Sequence, residues 1–393
     1  MTALLLTLTV LALLAALVWF SRHLMIWRER RRGIMLTDHS TGPPEAAPEI
    51  SVLVAAKDEA GCIETCVRTM LDQDYPNFEM VVCNDRSTDA TAAIVQRIAD
   101  EEPRLSLVNV TDLPAGWCGK NNAMQTGIAT TYGEWICMID ADCRQVSRRT
   151  LSVAMQYALD SSADMLSVLP RLEMKGWWEN VVQPVCSGMM MIWFPPDKVN
   201  SPTAPNAYAN GAFILIRRST YHAIGTHEAV KDRLNEDMHM AHLVKEAGLR
   251  LLVIRGDNLY LVRMYTSFTQ IIRGWSRIFY GTFGTLKRLV ISLALMSVMG
   301  LLPYLAAGIG LAGWSAGAQP AWAWRTLAIS GLVAAAMQLS VIYRFYKLIS
   351  ARPELFWTYP IGCAVTIWAL VVSLTKLGGA KVVWKSTGYN AAR

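Results

Sequence analysis

Residues 135–142, Trp-Ile-Cys-Met-Ile-Asp-Ala-Asp, decide how the chain is read. Five apolar side chains in a row, Trp135 to Ile139, are too few for a helix of their own and suit a strand buried on both faces. The run stops at Asp140-Ala141-Asp142. A D-x-D spacing by itself arises about once by chance in a chain of this size. Its position at the carboxyl end of a strand is what gives it meaning.

The same rhythm repeats upstream. Ile50 to Ala56 reads as a buried strand and Glu59 to Leu71 as a helix, with Ile63, Val67, Met70 and Leu71 on one side. Phe78 to Cys83 is a second strand, Ser87 to Asp100 a second helix and Leu105 to Val110 a third strand. Asn121 to Ala129 is a helix before the strand at 135–139. Strands alternating with helices predict a mostly parallel sheet with helices on both faces. Ligands of such sheets bind beyond the carboxyl ends of the strands.

That edge collects acidic residues. The first strand ends at Lys57-Asp58-Glu59, the second at Asn84-Asp85-Arg86-Ser87-Thr88-Asp89, and the fourth at Asp140 and Asp142. No G-x-G-x-x-G follows the first strand, which argues against a dinucleotide dehydrogenase. Paired carboxylates suit a hard divalent cation, Mg or Mn, which takes oxygen ligands and bridges to substrate phosphates. A polar turn is the plain alternative. Asp85 is expected to point into the cleft, where a carboxylate accepts a hydrogen bond from an imide N–H such as that of uracil; Ser87 or Thr88 is expected to cap the next helix. Gly116-Trp117-Cys118-Gly119-Lys120 precedes a helix, so Lys120 and a helix N-terminus suit a diphosphate. Asp237, in Asn235-Glu236-Asp237 ahead of a helix ending at Gly248, is the candidate general base, with helix capping as its plain reading. His239 and His242 read as a polar helix face. Gln270-x-x-Arg273-Gly274-Trp275 precedes a membrane segment and also suits interfacial anchoring.

Apolar residues are concentrated at the two ends, and this matters more than the overall 53%. Ala3 to Phe20 carries no charge and is long enough to cross a bilayer. Arg22, His23, Arg28, Arg30, Arg31 and Arg32 follow it, which puts that flank in the cytoplasm by the positive-inside rule. Apolar stretches recur near Leu289–Trp314, Trp324–Tyr343 and Phe356–Thr375. The loop with Arg344, Lys347 and Arg352 is basic, and the loop at 315–323 is uncharged, in keeping with the same orientation. About three true spans are expected at this end, although they would leave Lys376, Lys381, Lys385 and Arg393 outside, against the rule; a re-entrant stretch is the alternative. The expected layout is a membrane helix over 1–21, a basic flank and linker over 22–48, a cytoplasmic domain over 49–285, membrane helices over 286–376 and a basic tail over 377–393. The domain ends in an amphipathic interfacial stretch in which Arg263, Arg273, Arg277, Lys287 and Arg288 alternate with aromatics.

The net charge of +6 admits nucleic acid, anionic lipid or an anionic substrate. No nucleic-acid-binding signature is present, so no nucleic-acid partner is expected. The eight cysteines show neither a C-x-x-C pair nor zinc spacing and read as reduced thiols.

The ordered set Val54-Ala55-Ala56-Lys57-Asp58-Glu59, Asn84-Asp85-Arg86-Ser87-Thr88-Asp89, Asp140-Ala141-Asp142, Glu236-Asp237 and Gln270…Arg273-Gly274-Trp275 resembles the family 2 glycosyltransferases of GT-A fold over about residues 48–285. The resemblance implies a Rossmann-like α/β domain joined to transmembrane helices. It implies nucleoside contacts from Asp58, Glu59 and Asp85, and a cation on the diphosphate held by Asp140 and Asp142. It further implies Asp237 as base, and Gln270, Arg273 and Trp275 closing over the donor. Asn84 stands where the family has an Asp, and Gly274 lengthens the last motif. Leu113-Pro114-x-Gly116-Trp117-x-Gly119-Lys120 and Asn210-Gly211-Ala212-Phe213-Ile214-Leu215-Ile216-Arg217-Arg218 are similar to hopene-associated and carotenoid-type members; ceramide glucosyltransferases share the plan. The implied activity is metal-dependent, inverting transfer from a nucleotide-sugar, a UDP-sugar, to a lipid acceptor at the inner membrane. A processive polysaccharide synthase and an inactive membrane scaffold are the alternatives.

Overall fold

The computed structural model describes residues 1–32, 35–38, 43–256, 258–377, 382–384 and 387–389. Of the features read above, Ser40-Thr41-Gly42 of the linker and Lys381, Lys385 and Arg393 of the tail lie outside the described residues. The elements in chain order are α1 (Thr2–Arg32), β1 (Ile50–Ala56), α2 (Ile63–Leu71), β2 (Phe78–Asp85), α3 (Thr91–Ala99), β3 (Leu105–Val110), α4 (Gly119–Ile128), β4 (Trp135–Asp140), β5 (Cys143–Gln145), α5 (Thr150–Asp160), β6 (Met165–Leu169) and β7 (Arg171–Leu172). They continue with α6 (Trp177–Trp193), α7 (Pro196–Val199), β8 (Phe213–Arg217), α8 (Arg218–Ala223), α9 (Glu236–Glu246), β9 (Leu251–Arg255), β10 (Tyr260–Val262), α10 (Phe268–Phe283), α11 (Leu286–Leu295), α12 (Leu302–Ser315), α13 (Ala321–Leu348) and α14 (Tyr359–Lys376).

The chain forms two compact units. One comprises Ile34–Glu173, Met191–Met264 and Lys381–Arg393. Its main sheet has the order β3-β2-β1-β4-β8-β6-β9. β1 pairs in parallel with β2 and β4, whereas β8 is antiparallel to both β4 and β6. Trp135, Ile136, Cys137 and Ile139 are fully buried, as a strand covered on both faces requires. The register sets Ala55 beside Asp140 and Ala56 beside Asn84, so the acidic ends of β2 and β4 flank the end of β1. Because β8 runs the opposite way, Gly211 and Ala212, just before it, arrive at the same edge: Ile139 pairs with Phe213.

The first two helices start later than their periodicity predicts. The amides of Cys62 and Ile63 both donate to the Glu59 carbonyl, so 59–61 form a turn and α2 begins at Ile63. Ser87 and Thr88 do not cap α3. Ala90 occupies the N-cap position and Asp89, just before it, accepts from the Thr91 amide at 2.9 Å, while Ser87 and Thr88 bond to the loop after β1. α4 lies close on β1 and β2 through glycine: a Cβ on Gly127 would fall 2.1 Å from Cys83 Sγ.

The second unit comprises Met1–Gly33, Met174–Met190 and Tyr265–Ala380. Four of its stretches are long and apolar enough to cross a membrane: Thr2–Arg28, Leu286–Ser315, Ala321–Leu348 and Pro353–Lys376. The second is interrupted at Met296–Leu301 by a wider helical turn just ahead of Pro303. Proline has no N–H for the Met299 carbonyl one turn back. That carbonyl instead accepts from Trp19 Nε1 at 3.0 Å and from Gln338 Nε2 at 2.5 Å, which satisfies in apolar surroundings a group that water would otherwise serve.

Candidate active site

The loops after β1 and β2 are stitched together. The Asp58 amide donates to Ser87 Oγ at 3.0 Å, Glu59 to Thr91 Oγ1 at 2.8 Å and Ala60 to Asp89 Oδ2 at 3.0 Å. Asp58 Oδ1 accepts from the Thr88 amide at 2.8 Å and its hydroxyl at 3.1 Å. Asp58 and Arg86 both adopt positive φ, +52° and +54°, a strained backbone that these cross-links hold in place. Asp58 thus has a structural task in addition to any ligand. Asp85 is 2% exposed and does not project freely into the cleft. It forms a 2.8 Å ion pair with Arg86 and abuts the start of α4. A Cβ on Gly119 would lie 2.3 Å from Asp85 Oδ2 and 3.1 Å from Arg86 Nη2. Gly119→Ala is therefore expected to push back a buried carboxylate at a cost of about 1–3 kcal/mol. Thermal unfolding of the purified variant checks this, and an unchanged midpoint would remove the close approach from the account.

Lys120 follows, and it is no surface charge. Its ammonium sits 2.7 Å from Asp140 Oδ1 and 2.7 Å from Glu236 Oε1. Burial works against that charge, yet Asp140 and then Glu236 hold the amine well above its ordinary value. Asp237, in the first turn of α9, spends Oδ2 on the Gly211 amide at 2.8 Å and Oδ1 on the Met238 amide at 2.8 Å. It does not cap the helix from the N-cap position, which Asn235 occupies. A Cβ on Gly211 would meet Lys120 Nζ at 3.1 Å, Asp237 Oδ2 at 3.4 Å and Asp140 Oδ2 at 3.7 Å, so the three side chains converge on one point. Burial first, then the charge of Glu236, push the Asp237 carboxyl up to about 7. Asp142 is also pushed up to about 7, by burial and then by Asp140 and Glu59.

Behind the charged groups is a recess lined by Lys120, Met124, Met138, Gly211, Ile214, His227, Glu236, Asp237 and Met240. His227 is buried and held down to about 3, by burial and then by Lys120, so it is neutral; its Nδ1 is 2.8 Å from the Tyr221 hydroxyl. Glu236, Gly211 and His227 were not singled out as site residues from the sequence. Gly211 lay within a quoted motif, but only the reversed direction of β8 brings it to Asp140. Nothing local marks His227. His239 and His242 are engaged with the Asn235 carbonyl and Glu246 and form no metal pair.

Asp140 and Asp142 fit one Mg or Mn ion. Among the described residues no group of three or more His, Cys, Asp or Glu is placed to hold a metal. Two carboxylates completed by substrate phosphates and water is a normal arrangement for a cation of this kind. The excess negative charge that raises Asp142 is what such an ion would relieve.

Gln270, Arg273 and Trp275 lie on α10, in the helical unit. Gln270 Oε1 accepts from the Thr266 amide and hydroxyl, and its backbone amide donates to Ser267 Oγ, which caps the start of α10. Trp275 is 4% exposed and packs on Phe279 with ring centroids 5.5 Å apart. Gly274 faces Tyr265: a Cβ there would fall 2.0 Å from the ring. Arg273 is exposed.

Sheet order, the acidic strand ends and the converging Lys120, Asp140 and Asp237 define an α/β domain with a charged site at the carboxyl edge of its sheet. Residues 51–225 match the model of Glycosyl transferase family 2, and the fold is of the GT-A kind. The Beta-monoglucosyldiacylglycerol synthase of Nostoc sp. is 25% identical over 194 residues, 48% of this chain and 40% of that protein. Probable glycosyltransferase YdaM of Bacillus subtilis is 30% identical over 125 residues, 31% of this chain and 26% of that protein. The matched regions thus span less than half of these relatives. A mannosyltransferase from Pyrobaculum calidifontis, solved in complex with GDP-Man and Mn2+, is similar in fold with a TM-score of 0.55 at 20% identity, over 94% of this chain and 99% of that one.

Proposed function

We propose that this protein is a membrane-bound inverting glycosyltransferase that moves a sugar from a UDP-sugar to the hydroxyl of a neutral lipid such as a diacylglycerol. The observation that carries this reading is the meeting of Lys120, Asp140 and Asp237 in front of Gly211, beside a chain segment similar to diacylglycerol glucosyltransferases.

Asp140 and Asp142 hold the divalent cation, which when bound neutralises charge on the departing nucleoside diphosphate. Lys120 lies beside Asp140 to pair with the same phosphates. Asp58, Glu59 and Asp85 frame the nucleoside pocket. Asp237 takes the proton from the acceptor hydroxyl; the oxygen attacks the anomeric carbon while the carbon–oxygen bond to the diphosphate breaks on the opposite face, and the electron pair leaves with the diphosphate. The Gly211 and Met238 amides fix the orientation of that carboxylate. Incubating membranes with radiolabelled UDP- and GDP-sugars and extracting the lipids tests the proposal: one labelled glycolipid supports it, and a labelled polymer or no labelled lipid with any donor refutes it.

The sheet unit is read as cytoplasmic. Arg22 and Arg28 after the first apolar stretch, and Arg344, Lys347 and Arg352 after α13, support this. Ser373 Oγ donates to the Ser276 carbonyl at 2.9 Å, and Lys376 Nζ to Ser276 Oγ at 2.8 Å. The end of α14 therefore shares a side with α10, which supports a re-entrant α14 and a basic tail returned to the cytoplasm. Green fluorescent protein fused behind Arg393 is expected to fluoresce at the membrane. A dark fusion, with alkaline phosphatase active at the same position, would establish α14 as a full span.

A further inference from the structure

α6 is unlike the other helices that interrupt the strand pattern. It lies between β7 and β8 in sequence, yet Met174–Met190 packs within the helical unit. Its contacts are with stretches apolar enough to span a bilayer. A Cβ on Gly362 would fall 2.4 Å from the Val181 carbonyl and 2.6 Å from Val185, Cys186 Sγ is 3.4 Å from Thr366 Oγ1, and Gly188 faces the Phe345 ring. At its N-terminal end, half-exposed Trp177 and Trp178 join Phe268 and Trp368 in a row, with successive centroids 4.6, 4.5 and 5.7 Å apart. Such rings belong at the headgroup level of a bilayer.

The side of α6 turned away from Val181 and Val185 is polar. Adjacent Glu179 and Asn180 lie there with Gln183, four and three positions further on, and they are 1%, 2% and 0% exposed. Glu179 accepts from the amides of Lys175 and Gly176, closing the helix start. Asn180 Nδ2 donates to the Met174 and Gly176 carbonyls, but its Oδ1 has no hydrogen-bond partner among the described residues. Gln183 is in a harder position: both Nε2 and Oε1 are buried without a partner. Pro184 adds to this, since it has no N–H to give to the Asn180 carbonyl one turn back. A buried carboxamide with neither bond made carries the full cost of its lost hydration, and polar groups in apolar surroundings mark sites of function.

We infer that the Asn180–Gln183 stripe of α6 is the binding site for the hydroxyl-bearing headgroup of the lipid acceptor, an inference that rests on the lipid acceptor proposed above. A carboxamide offers one donor and one acceptor face, and a hydroxyl beside an ester is matched by that pair. Gln183 lies about 7 Å of helix rise from Trp178, below the aromatic row, at the depth where the glycerol hydroxyl and esters of a neutral lipid sit. α6 carries no basic residue, and its one charged side chain is Glu179, so a phosphate headgroup is disfavoured.

The test uses the full chain in nanodiscs containing either a diazirine-bearing diacylglycerol or a diazirine-bearing phosphatidylcholine. Photolysis is followed by peptide mapping. Diacylglycerol is expected to label α6 about tenfold more than phosphatidylcholine, and Gln183→Leu to abolish the excess, as the loss of one or two hydrogen bonds predicts. Thermal unfolding of Gln183→Leu should be unchanged or raised, because an unpaired amide is replaced by a methyl pair. If that variant fails to fold, Gln183→Met removes the same amide with less change in shape. Equal labelling by the two lipids, or equal labelling of wild type and variant, overturns the inference. Sugar transfer to lipid with α6 unlabelled sinks this site alone. A labelled α6 without transfer to any lipid leaves the site standing and sinks the proposed activity.

Discussion

Asp237→Asn is expected to lower kcat by about 10²–10⁴-fold, the range a general base supplies, while UDP and Mn²⁺ binding measured by calorimetry stays within a few-fold. Asparagine keeps an acceptor oxygen for the Gly211 amide but loses both the ability to take a proton and the second oxygen, which accepts from the Met238 amide. The wild-type pH profile should show the same group. Burial and Glu236 push Asp237 up to about 7, so it is protonated and inactive below that pH, and kcat is expected to fall as pH drops through about 7. The stability sign is the opposite of the usual carboxylate. A raised folded-state pKa means that the folded protein holds a proton which the unfolded chain releases near the ordinary aspartate value, so stability falls as pH rises from about 4 to about 7. Asp237→Asn removes that penalty, and the variant should melt higher than wild type at pH 8, with the gap closing at pH 5. A variant that loses activity and also melts lower at pH 8 would assign Asp237 a structural role.

Much of the sheet was legible because its central strands are short, unbroken apolar runs, each ending in a charge: β1, β2 and β4 needed only periodicity and length to be read. The acidic edge followed from the rule that parallel strands present their carboxyl ends to ligand. What periodicity does not carry is direction. The run Asn210 to Arg218, read only as a family-like motif, contains β8, and its antiparallel pairing with β4 is what brings Gly211 to Asp140. Partners across the fold are equally silent. Asp85 reads as a free carboxylate until Arg86 turns back on it through a positive φ. Lys120 reads as a partner for a diphosphate, and nothing near it in sequence shows that Glu236, 116 positions further along, closes on it. α6 shows the same limit at the level of the unit: its company of α13 and α14 depends on long-range packing.

Lys120→Met is expected to produce the largest stability loss of any single change at this site. Lys120 stands between two carboxylates at 2.7 Å each, and its side chain is 19% exposed against 36% for Asp140 and 9% for Glu236. Methionine fills a similar volume and removes the charge, leaving two carboxylates facing one another with no cation between them. Breaking a buried ion pair from one side costs about 3–5 kcal/mol. Solvent reaching Asp140 puts the loss near the lower end, about 3 kcal/mol, which corresponds to a fall of about 6–12 °C in melting temperature for a domain of this size. Glu236→Gln in the same chain should return part of it, since a neutral amide leaves Asp140 unopposed, and the two changes should be non-additive because they share one contact. A melting temperature unchanged in Lys120→Met, or strict additivity with Glu236→Gln, would mean that water screens the triad and that Lys120 serves the ligand alone. Under the proposed function the variant also loses a cation for the diphosphate. Weakened nucleotide binding in Lys120→Met/Glu236→Gln, where the fold has been relieved, then measures the second task of Lys120 separately from the first.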